Sequence, residues 1–384
     1  MLVLDINDIE ITVADGEAVV FREPGIAVVD ERETVFGTAA LGRSRLEPRL
    51  THDQFWQKMN ADPVNPPGRG IRNQADLVYN HMLAIKEALG IGADSEIAVS
   101  VPSNVTSDQL SLLLGIANEA KLKVTHFIDS AVGAASSIRL PETCVLVDIA
   151  WHRAILTQLA VGEEVSRQGI SESQTLGLAS LLEGWIDVVA DNFVRQTRFD
   201  PLRIAATEQQ VFDQVLAHVT SQSSDSTVVV EHAGQSRSVD IDSTMLATKS
   251  SARFEAFGEA LGPPTTLIAT PRVGRLPGCV EFLESSGHRV LVLDDAAAVA
   301  ALARNANAVT QGEEVQFIRR VRSEGQIAET TAATAVPRGV PTHLLCGSTA
   351  IPLGTGRSAA DHPESAGIGY GFRIQRNELS LIHI

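Results

Sequence analysis

The sequence predicts an α/β protein made of two similar halves that face each other across a cleft. Strand and helix patterns alternate over residues 96–137 and again over 265–308, an order typical of parallel sheets. One motif also occurs twice, because LVLDINDIEITVADG and CVLVDIAWHRAILTQLAVG both read as a strand, an Asp, a loop and an alternating strand. With 384 residues, the chain is long enough for two or three domains with buried cores.

The composition limits the compartment and the partners. The net charge is −16, from 31 Lys and Arg against 47 Asp and Glu, which argues against broad binding to nucleic acid or anionic membranes, since both need clustered positive charge. Cys144, Cys279 and Cys346 are too few and too far apart for a disulfide framework or a zinc site. No secretory signal and no apolar run of about 18 residues is found. We expect a cytoplasmic protein without a membrane span that acts with a protein partner. Its oligomeric state is not indicated.

The first half begins with an antiparallel meander. Apolar and alternating runs, with a hairpin signal at Asp15-Gly16, predict strands over residues 2–4, 9–13, 18–21 and 26–29. Residues 46–70 contain four prolines and are expected to form an irregular excursion. The elements that follow are predicted as a helix over 73–89, a strand over 96–101, a helix over 107–121, a strand over 124–128 and a helix over 130–137.

The second half repeats this order with longer helices. Its predicted strands cover 143–147, 154–160, 227–230, 237–241, 265–268 and 289–293, and a further strand is expected near Glu164. Its predicted helices cover 173–193, 201–219, 242–261, 277–284 and 294–308.

These patterns suggest an organisation in domains. Residues 1–142 form the first lobe, with a small subdomain inserted over about 30–75, and residues 143–310 form the second, with an insertion over about 195–262. A linker over 311–335 and a partial β-rich segment over 336–384 follow. Residues 379–384, LSLIHI, match one reading frame of a common transposon sequencing adapter, so we expect an artefact there. The alternative is an ordinary apolar edge strand.

Five stretches in order resemble the actin-like ATPase superfamily, in its DnaK (seventy-kilodalton heat-shock chaperone) and MreB/FtsA branches. The resemblance covers about residues 2–309 and implies a two-lobed actin/DnaK-like fold. The stretches correspond in turn to the first phosphate loop, the region up to the first connecting helix, the second phosphate loop, the adenosine motif and the second connecting helix: VLDINDIEITV, IAVSVPSNVTSDQLSLLLGIANEAKLKVTHFIDSAVGAA, VLVDIAWHRAILTQL, TLIATPRVGRLPGCVEFL and DDAAAVAALA.

The resemblance implies ATP and Mg²⁺ as cofactors. Asp5 and Asp148 would hold Mg²⁺ through its water shell, Asp129 would be the catalytic acid, and Lys58 would correspond to the catalytic lysine. The other positions that would bind the nucleotide are Asn7, Trp151, His152, Ala269, Thr270 and Arg272. Alternative interpretations are open: each Asp can cap the turn after its strand, and Lys58 can be a solvated surface residue. The loop with Trp151 and His152 can bind an anionic or planar ligand, or fill its own cleft.

The loops depart from the family pattern in a way that bears on turnover. The family places glycines there because a Cβ would block the approach of the phosphates to the backbone. Here the loops read Ile6-Asn7-Asp8 and Ile149-Ala150-Trp151-His152-Arg153, and the adenosine motif reads Ala269-Thr270. We therefore expect a degenerate pseudo-ATPase that acts as a binding or scaffold module. The alternative is an active ATP-dependent chaperone-like protein with divergent loops.

Overall fold

A computed structural model of the chain describes residues 1–93, 95–220, 226–308, 314–323, 343–346 and 349–352. The chain divides into two compact units, residues 1–327 and 328–384. In the second unit the described residues form an antiparallel hairpin of His343–Cys346 with Thr349–Pro352, inside the segment predicted to be β-rich. The predicted artefact at 379–384 lies outside the described residues.

The first unit is an α/β structure with mixed sheets. In chain order, the elements of its first half are β1 (Leu2–Asp5), β2 (Ile11–Asp15), β3 (Ala18–Glu23), β4 (Ala27–Val29), β5 (Thr34–Phe36), α1 (Gly37–Leu41), β6 (Thr51–His52), α2 (Phe55–Lys58), β7 (Pro63–Gly68), β8 (Ile71–Asn73), α3 (Gln74–Ala88), β9 (Ser95–Val101), α4 (Ser107–Glu119), β10 (Leu122–Asp129) and α5 (Ser130–Ala135).

The second half of this unit continues in the same way. Its elements are β11 (Thr143–Ile149), β12 (Ala154–Val161), β13 (Glu164–Ser173), α6 (Leu178–Thr197), a 3₁₀ turn (Pro201–Arg203), α7 (Ala205–Thr220), β14 (Thr227–His232), β15 (Gln235–Asp240), α8 (Ser243–Leu261), β16 (Thr266–Ala269), α9 (Pro271–Gly274), α10 (Cys279–Ser285), β17 (Arg289–Val292), α11 (Asp295–Ala308), β18 (Gln316–Ile318) and β19 (Arg320–Arg322).

Two six-stranded sheets share one strand order over five of their strands. The orders are β3-β2-β1-β9-β10 in the first sheet and β13-β12-β11-β16-β17 in the second. In each sheet the first three strands are antiparallel and the last three are parallel. The sixth strands differ, because β18 pairs with β10 whereas β19 pairs with β13. The duplication predicted from the repeated motif is therefore present in the topology.

Inserted segments occupy the same place in both halves. Along the chain, the elements from β4 to α3 are inserted between β3 and β9 of the first sheet. Those from α6 to α8 are inserted between β13 and β16 of the second sheet. Each insertion thus follows the third strand of a meander.

Local sequence explains where several helices begin. Thr106 and Gln109 form a reciprocal capping box at the start of α4, which satisfies two backbone N–H groups that the helix leaves free. Asn73, Asp129 and Asp242 accept backbone N–H groups at the starts of α3, α5 and α8 in the same way.

One hydrophobic cluster joins the two sheets. It contains Ile128 of β10, Leu146 of β11, Ile268 of β16 and Leu302 of α11, all at most 4% exposed. The contact between α5 and α11 depends on Gly133, because a Cβ there would lie 2.5 Å from Leu302 Cδ2. The helices α5 and α11 therefore pack closely where the two halves meet.

The expectation that residues 46–70 form an irregular excursion was wrong, because they form β6, α2 and β7, and Phe55 and Trp56 are buried in the core of the first half. Four prolines hid this pattern, since they break the alternation and the helical spacing on which the prediction depended.

Other boundaries also depart from the predicted ones. The helix expected over 173–193 begins at Leu178, because residues 164–173 continue the antiparallel meander as β13. The stretch expected to be a linker supplies the edge strands β18 and β19, which are only three residues long and too short to show alternation. The short helix α9 was not predicted, although its Pro271 occupies a favourable first position.

Two cysteines behave as expected, since Cys144 and Cys279 are buried and unpaired. Burial raises the pKa of each thiol to about 12, so both remain protonated. In the part of the chain that the structure describes, no helix combines the length and the apolar character that crossing a membrane requires.

Candidate functional site

The two repeated aspartates come together at one pocket. Asp5 ends β1 and Asp148 lies near the end of β11, the equivalent strand of the second sheet. Both line a pocket that also includes Glu10, Thr270 and Arg272. The equivalence of the two motifs thus places both carboxylates at the same site.

Arg272 forms a bidentate ion pair with Asp148. Its Nε and Nη2 atoms lie 3.1 Å from Oδ1 and 2.8 Å from Oδ2 of Asp148. The Thr270 hydroxyl donates to Oδ1 at 2.7 Å, and the Ile149 N–H donates at 2.9 Å. Burial alone would raise the pKa of Asp148, but the Arg272 charge and these hydrogen bonds outweigh it, so the pKa lies below its ordinary value. Asp148 is therefore an ionised carboxylate compensated by protein groups.

Asp5 has a different environment. Ser100 Oγ donates to its Oδ1 at 2.6 Å. Burial raises the pKa of Asp5 above its ordinary value, although the Arg272 charge and the Ser100 hydrogen bond oppose the shift. The positive charge of Arg272 thus acts on both carboxylates, where the family resemblance predicts Mg²⁺.

The first loop is hydrogen-bonded directly to the second. Asn7 Nδ2 donates to Asp148 Oδ2 at 3.2 Å and to the Ile149 carbonyl at 3.0 Å. Asp8 Oδ1 accepts the Trp151 N–H at 2.8 Å. Asn7 Oδ1 accepts the N–H of Ile9 at 3.0 Å within its own loop. The side chains of Asn7 and Asp8, at positions where the resemblance leads one to expect glycines, therefore join the two loops.

Asp8 and Trp151 are buried in this junction. The second carboxylate oxygen of Asp8 and the indole N–H of Trp151 have no hydrogen-bond partner among the described residues. Burial raises the pKa of Asp8 to about 6, with the Trp151 N–H opposing the shift. Trp151 packs in the main hydrophobic cluster of the second half, so its ring is part of the core next to the junction.

His152 and Arg153 form ion pairs at the edge of the second loop. His152 Nε2 lies 3.1 Å from Asp53 Oδ2, and this nearby carboxylate raises the pKa of His152 above its ordinary value. Arg153 pairs with Glu172 of β13. Successive residues of the second loop thus differ in burial: Trp151 is buried, and His152 is only partly buried.

The predicted adenosine positions are part of the same network. Ala269 is fully buried at the end of β16, and the Thr270 N–H donates to the Val147 carbonyl at 3.0 Å. Arg272 follows in the first turn of α9. Thr270 and Arg272 thus direct polar groups at Asp148, whereas Ala269 is a core residue of the second sheet.

Asp129 and Lys58 lie in settings that favour structural roles. Asp129 is fully buried, accepts the Ser103 hydroxyl and two backbone N–H groups of α5, and pairs with Arg167 at 2.7 Å. Burial raises the pKa of Asp129 against these opposing partners. Lys58 is exposed at the end of α2. The capping alternative describes the geometry of Asp129, and the solvated alternative describes that of Lys58.

Sequence reasoning did not single out a second charged group beside this site. Arg22 of β3 lies 3.1 Å from Glu10 and 2.9 Å from Asp295, and Arg275 lies 3.4 Å from Asp295. Arg22 and Asp295 are 273 positions apart, so no local pattern could have indicated their contact. In the sequence, Arg22 looks like any surface arginine and Asp295 looks like any acidic residue in the first turn of a helix. Neither residue therefore stood out.

No protein-family model and no curated protein matches the chain. The residues present do not fit Mg·ATP bound as in the actin-like family. A guanidinium already compensates Asp148, and Asn7 and Asp8 occupy the junction with their own side chains. We therefore derive no step through Mg²⁺ or ATP.

Proposed function

We propose that the chain is a non-hydrolysing relative of the actin-like ATPases, close to their DnaK and MreB/FtsA branches, that acts by binding a protein partner. The matching strand order of the two sheets supports the fold part of this proposal. The positions of Asp5 and Asp148 at equivalent strand ends support the correspondence of the sites.

The observation that carries the proposal is the internal compensation of the site. Catalysis of phosphoryl transfer depends on backbone N–H donors and a metal cation aimed at the phosphates. Here the Trp151 N–H already donates to Asp8, and the Ile9 N–H donates to Asn7. The charge beside Asp148 comes from Arg272. A nucleotide would have to displace each of these contacts.

The binding role follows from the loss of turnover. A protein of this kind that does not hydrolyse ATP would act by binding another molecule. The net charge of −16 makes a protein a better partner than nucleic acid, since nucleic-acid binding needs clustered positive charge.

One observation favours the second candidate, an ATP-dependent chaperone-like protein. Asp5 and Asp148 line one pocket, as two carboxylates around Mg²⁺ would. That candidate requires Arg272 to leave Asp148 when nucleotide binds.

A phosphate-release assay separates the two candidates. Purified full chain with ATP and Mg²⁺ should release no phosphate above a protein-free blank. Calorimetric titration with Mg·ATP, run in parallel, reports whether any binding persists. Mg²⁺-dependent release that both Asp5→Ala and Asp148→Ala abolish would replace the proposal by the active alternative.

A further inference from the structure

A cavity with a volume of about 200 Å³ lies between the two halves of the first unit, next to the aspartate pocket. Most of its wall is apolar and buried, including Ile9, Trp151, Leu178, Val219 and Leu276. In another protein, a dry cavity with a volume of about 150 Å³ is enough to hold benzene. The size therefore suits one ring with a short chain, which is much smaller than ATP.

Contacts between the two insertions close this cavity on one side. Gln209 Nε2 of α7 donates to the Leu41 carbonyl at 3.0 Å, and Gln209 Oε1 accepts the Arg45 N–H at 2.7 Å. The Arg45 guanidinium also lies 4.6 Å from the centre of the Phe212 ring. Leu41 is thereby held at the wall, so the cavity is a built feature of the fold.

Glu23 lines the cavity, and buried aromatic groups hold its carboxylate in place. The Trp56 indole N–H, which can only donate, points to His81 Nδ1 at 2.9 Å. Nδ1 is therefore unprotonated, the ring is neutral, and its Nε2–H donates to Glu23 Oε1 at 2.7 Å. His81 is fully buried and stacks on Phe36 with ring centres 5.0 Å apart.

Unlike the arginines that line the cavity, Glu23 has no oppositely charged partner among the described residues. The arginines that line the cavity already have carboxylate partners, in the pairs Arg22–Glu10, Arg272–Asp148 and Arg275–Asp295. Glu23 has only the neutral His81, and no Lys or Arg of the described residues forms an ion pair with it. A half-buried charge beside apolar walls is costly unless a counter-charge approaches it.

We propose that this cavity binds a small organic cation, a primary amine that carries one ring or a similar apolar group. The ring would occupy the space between Trp151, Leu178 and Val219, and the ammonium group would meet the Glu23 carboxylate. The proposal rests on the proposed function in one respect, because Mg·ATP must not use the same cleft.

Calorimetric titration of the full chain with three matched probes tests this proposal. Phenethylamine, 2-phenylethanol and phenylacetate share a ring and differ in the charge of the head group. We expect phenethylamine to bind about tenfold or more tightly than the alcohol, because hydrogen bonds to charged groups are the stronger ones. We expect phenylacetate not to bind.

Variants tie the preference to the cavity. Glu23→Gln keeps an acceptor for His81 but removes the charge, so amine and alcohol should bind about equally. Val219→Phe should abolish binding by filling the space, whereas Glu119→Gln removes the same charge from an exposed position and should change nothing. No binding of phenethylamine, equal binding of amine and alcohol, or an unchanged preference in Glu23→Gln would overturn the proposal.

A parallel titration with Mg·ATP keeps the two proposals separable. Amine binding that Mg·ATP does not displace, together with ATP hydrolysis, would support the cavity proposal and refute the proposed function. Displacement of the amine by Mg·ATP would overturn the cavity proposal. Absence of both would refute the cavity proposal alone.

Discussion

Replacing Arg272 by Leu should lower the free energy of unfolding by about 3 kcal/mol at neutral pH. The side chains of Arg272 and Asp148 are largely buried, with 16% and 10% of their surface exposed. Removing one partner of such a pair costs about 3–5 kcal/mol, because an uncompensated charge stays buried. We expect the lower end of this range, since the Thr270 hydroxyl and the Ile149 N–H still donate to Asp148.

The effect of Arg272→Leu should depend on pH in one direction. In the wild type, the folded-state pKa of Asp148 is lowered, so its stabilisation is present above the unfolded-state pKa and is lost as the pH falls through the folded-state value. In the variant, burial without Arg272 favours the protonated carboxyl. The difference in stability between the two proteins should therefore shrink as the pH falls to about 4, near the unfolded-state pKa.

Urea unfolding at pH 7 and pH 4, followed by tryptophan fluorescence, measures both effects. Arg275→Leu is the matched control, because its partner Asp295 is 39% exposed and lies 3.4 Å away. That control should cost less than about 1 kcal/mol. Millimolar Mg²⁺ should stabilise Arg272→Leu and not the wild type, since only the variant lacks the guanidinium charge that acts on Asp5 and Asp148. A loss below about 1 kcal/mol, or one that does not change with pH, would refute the reasoning.

Three further variants test other parts of the site. Because the folded-state pKa of Asp8 is about 6, its ionisation should cost the wild type about 2–3 kcal/mol between pH 4 and pH 8. Asp8→Asn should remove that part of the pH dependence in urea unfolding, and an unchanged slope would contradict it. Gly177→Ala should destabilise by about 2 kcal/mol, because its Cβ would lie 2.5 Å from the His152 carbonyl carbon, whereas Gly162→Ala meets nothing within 4 Å and should cost less than about 0.5 kcal/mol. Lys58→Ala should change the melting temperature by less than about 2 °C, since the side chain is exposed, and a larger shift would give Lys58 a structural role.

The elements that the sequence predicted well are those with long periodic patterns. The helix expected over 107–121 is α4, and the strand expected over 96–101 is β9, with ends that differ by one or two residues. The short strands β18 and β19 were missed, because three residues do not establish a period and their pairing partners are far away in the chain. Pattern length thus decided what could be predicted.

The candidate site was predictable in position but not in chemistry. The repeated strand–Asp motif was enough to bring Asp5 and Asp148 to one pocket, since equivalent strands occupy equivalent places in the two sheets. The partner of Asp148 was not predictable, because Arg272 lies 124 positions away and its role depends on the unpredicted helix α9. Contacts of this kind come from tertiary packing.

The loop substitutions and the ion pair have a common physical consequence. In the family that the sequence resembles, loop N–H groups and a cation meet phosphate oxygens supplied by the ligand. Here side-chain oxygens of Asn7 and Asp8 accept the loop N–H groups, and the Arg272 guanidinium supplies the positive charge. Groups that a ligand would satisfy are satisfied by the protein itself, so the junction needs no nucleotide to hold together. The cost of this arrangement is the buried, unpartnered oxygen of Asp8, which makes stability fall as the pH rises through about 6. The junction is therefore held together by its own side chains, and its stability depends on pH.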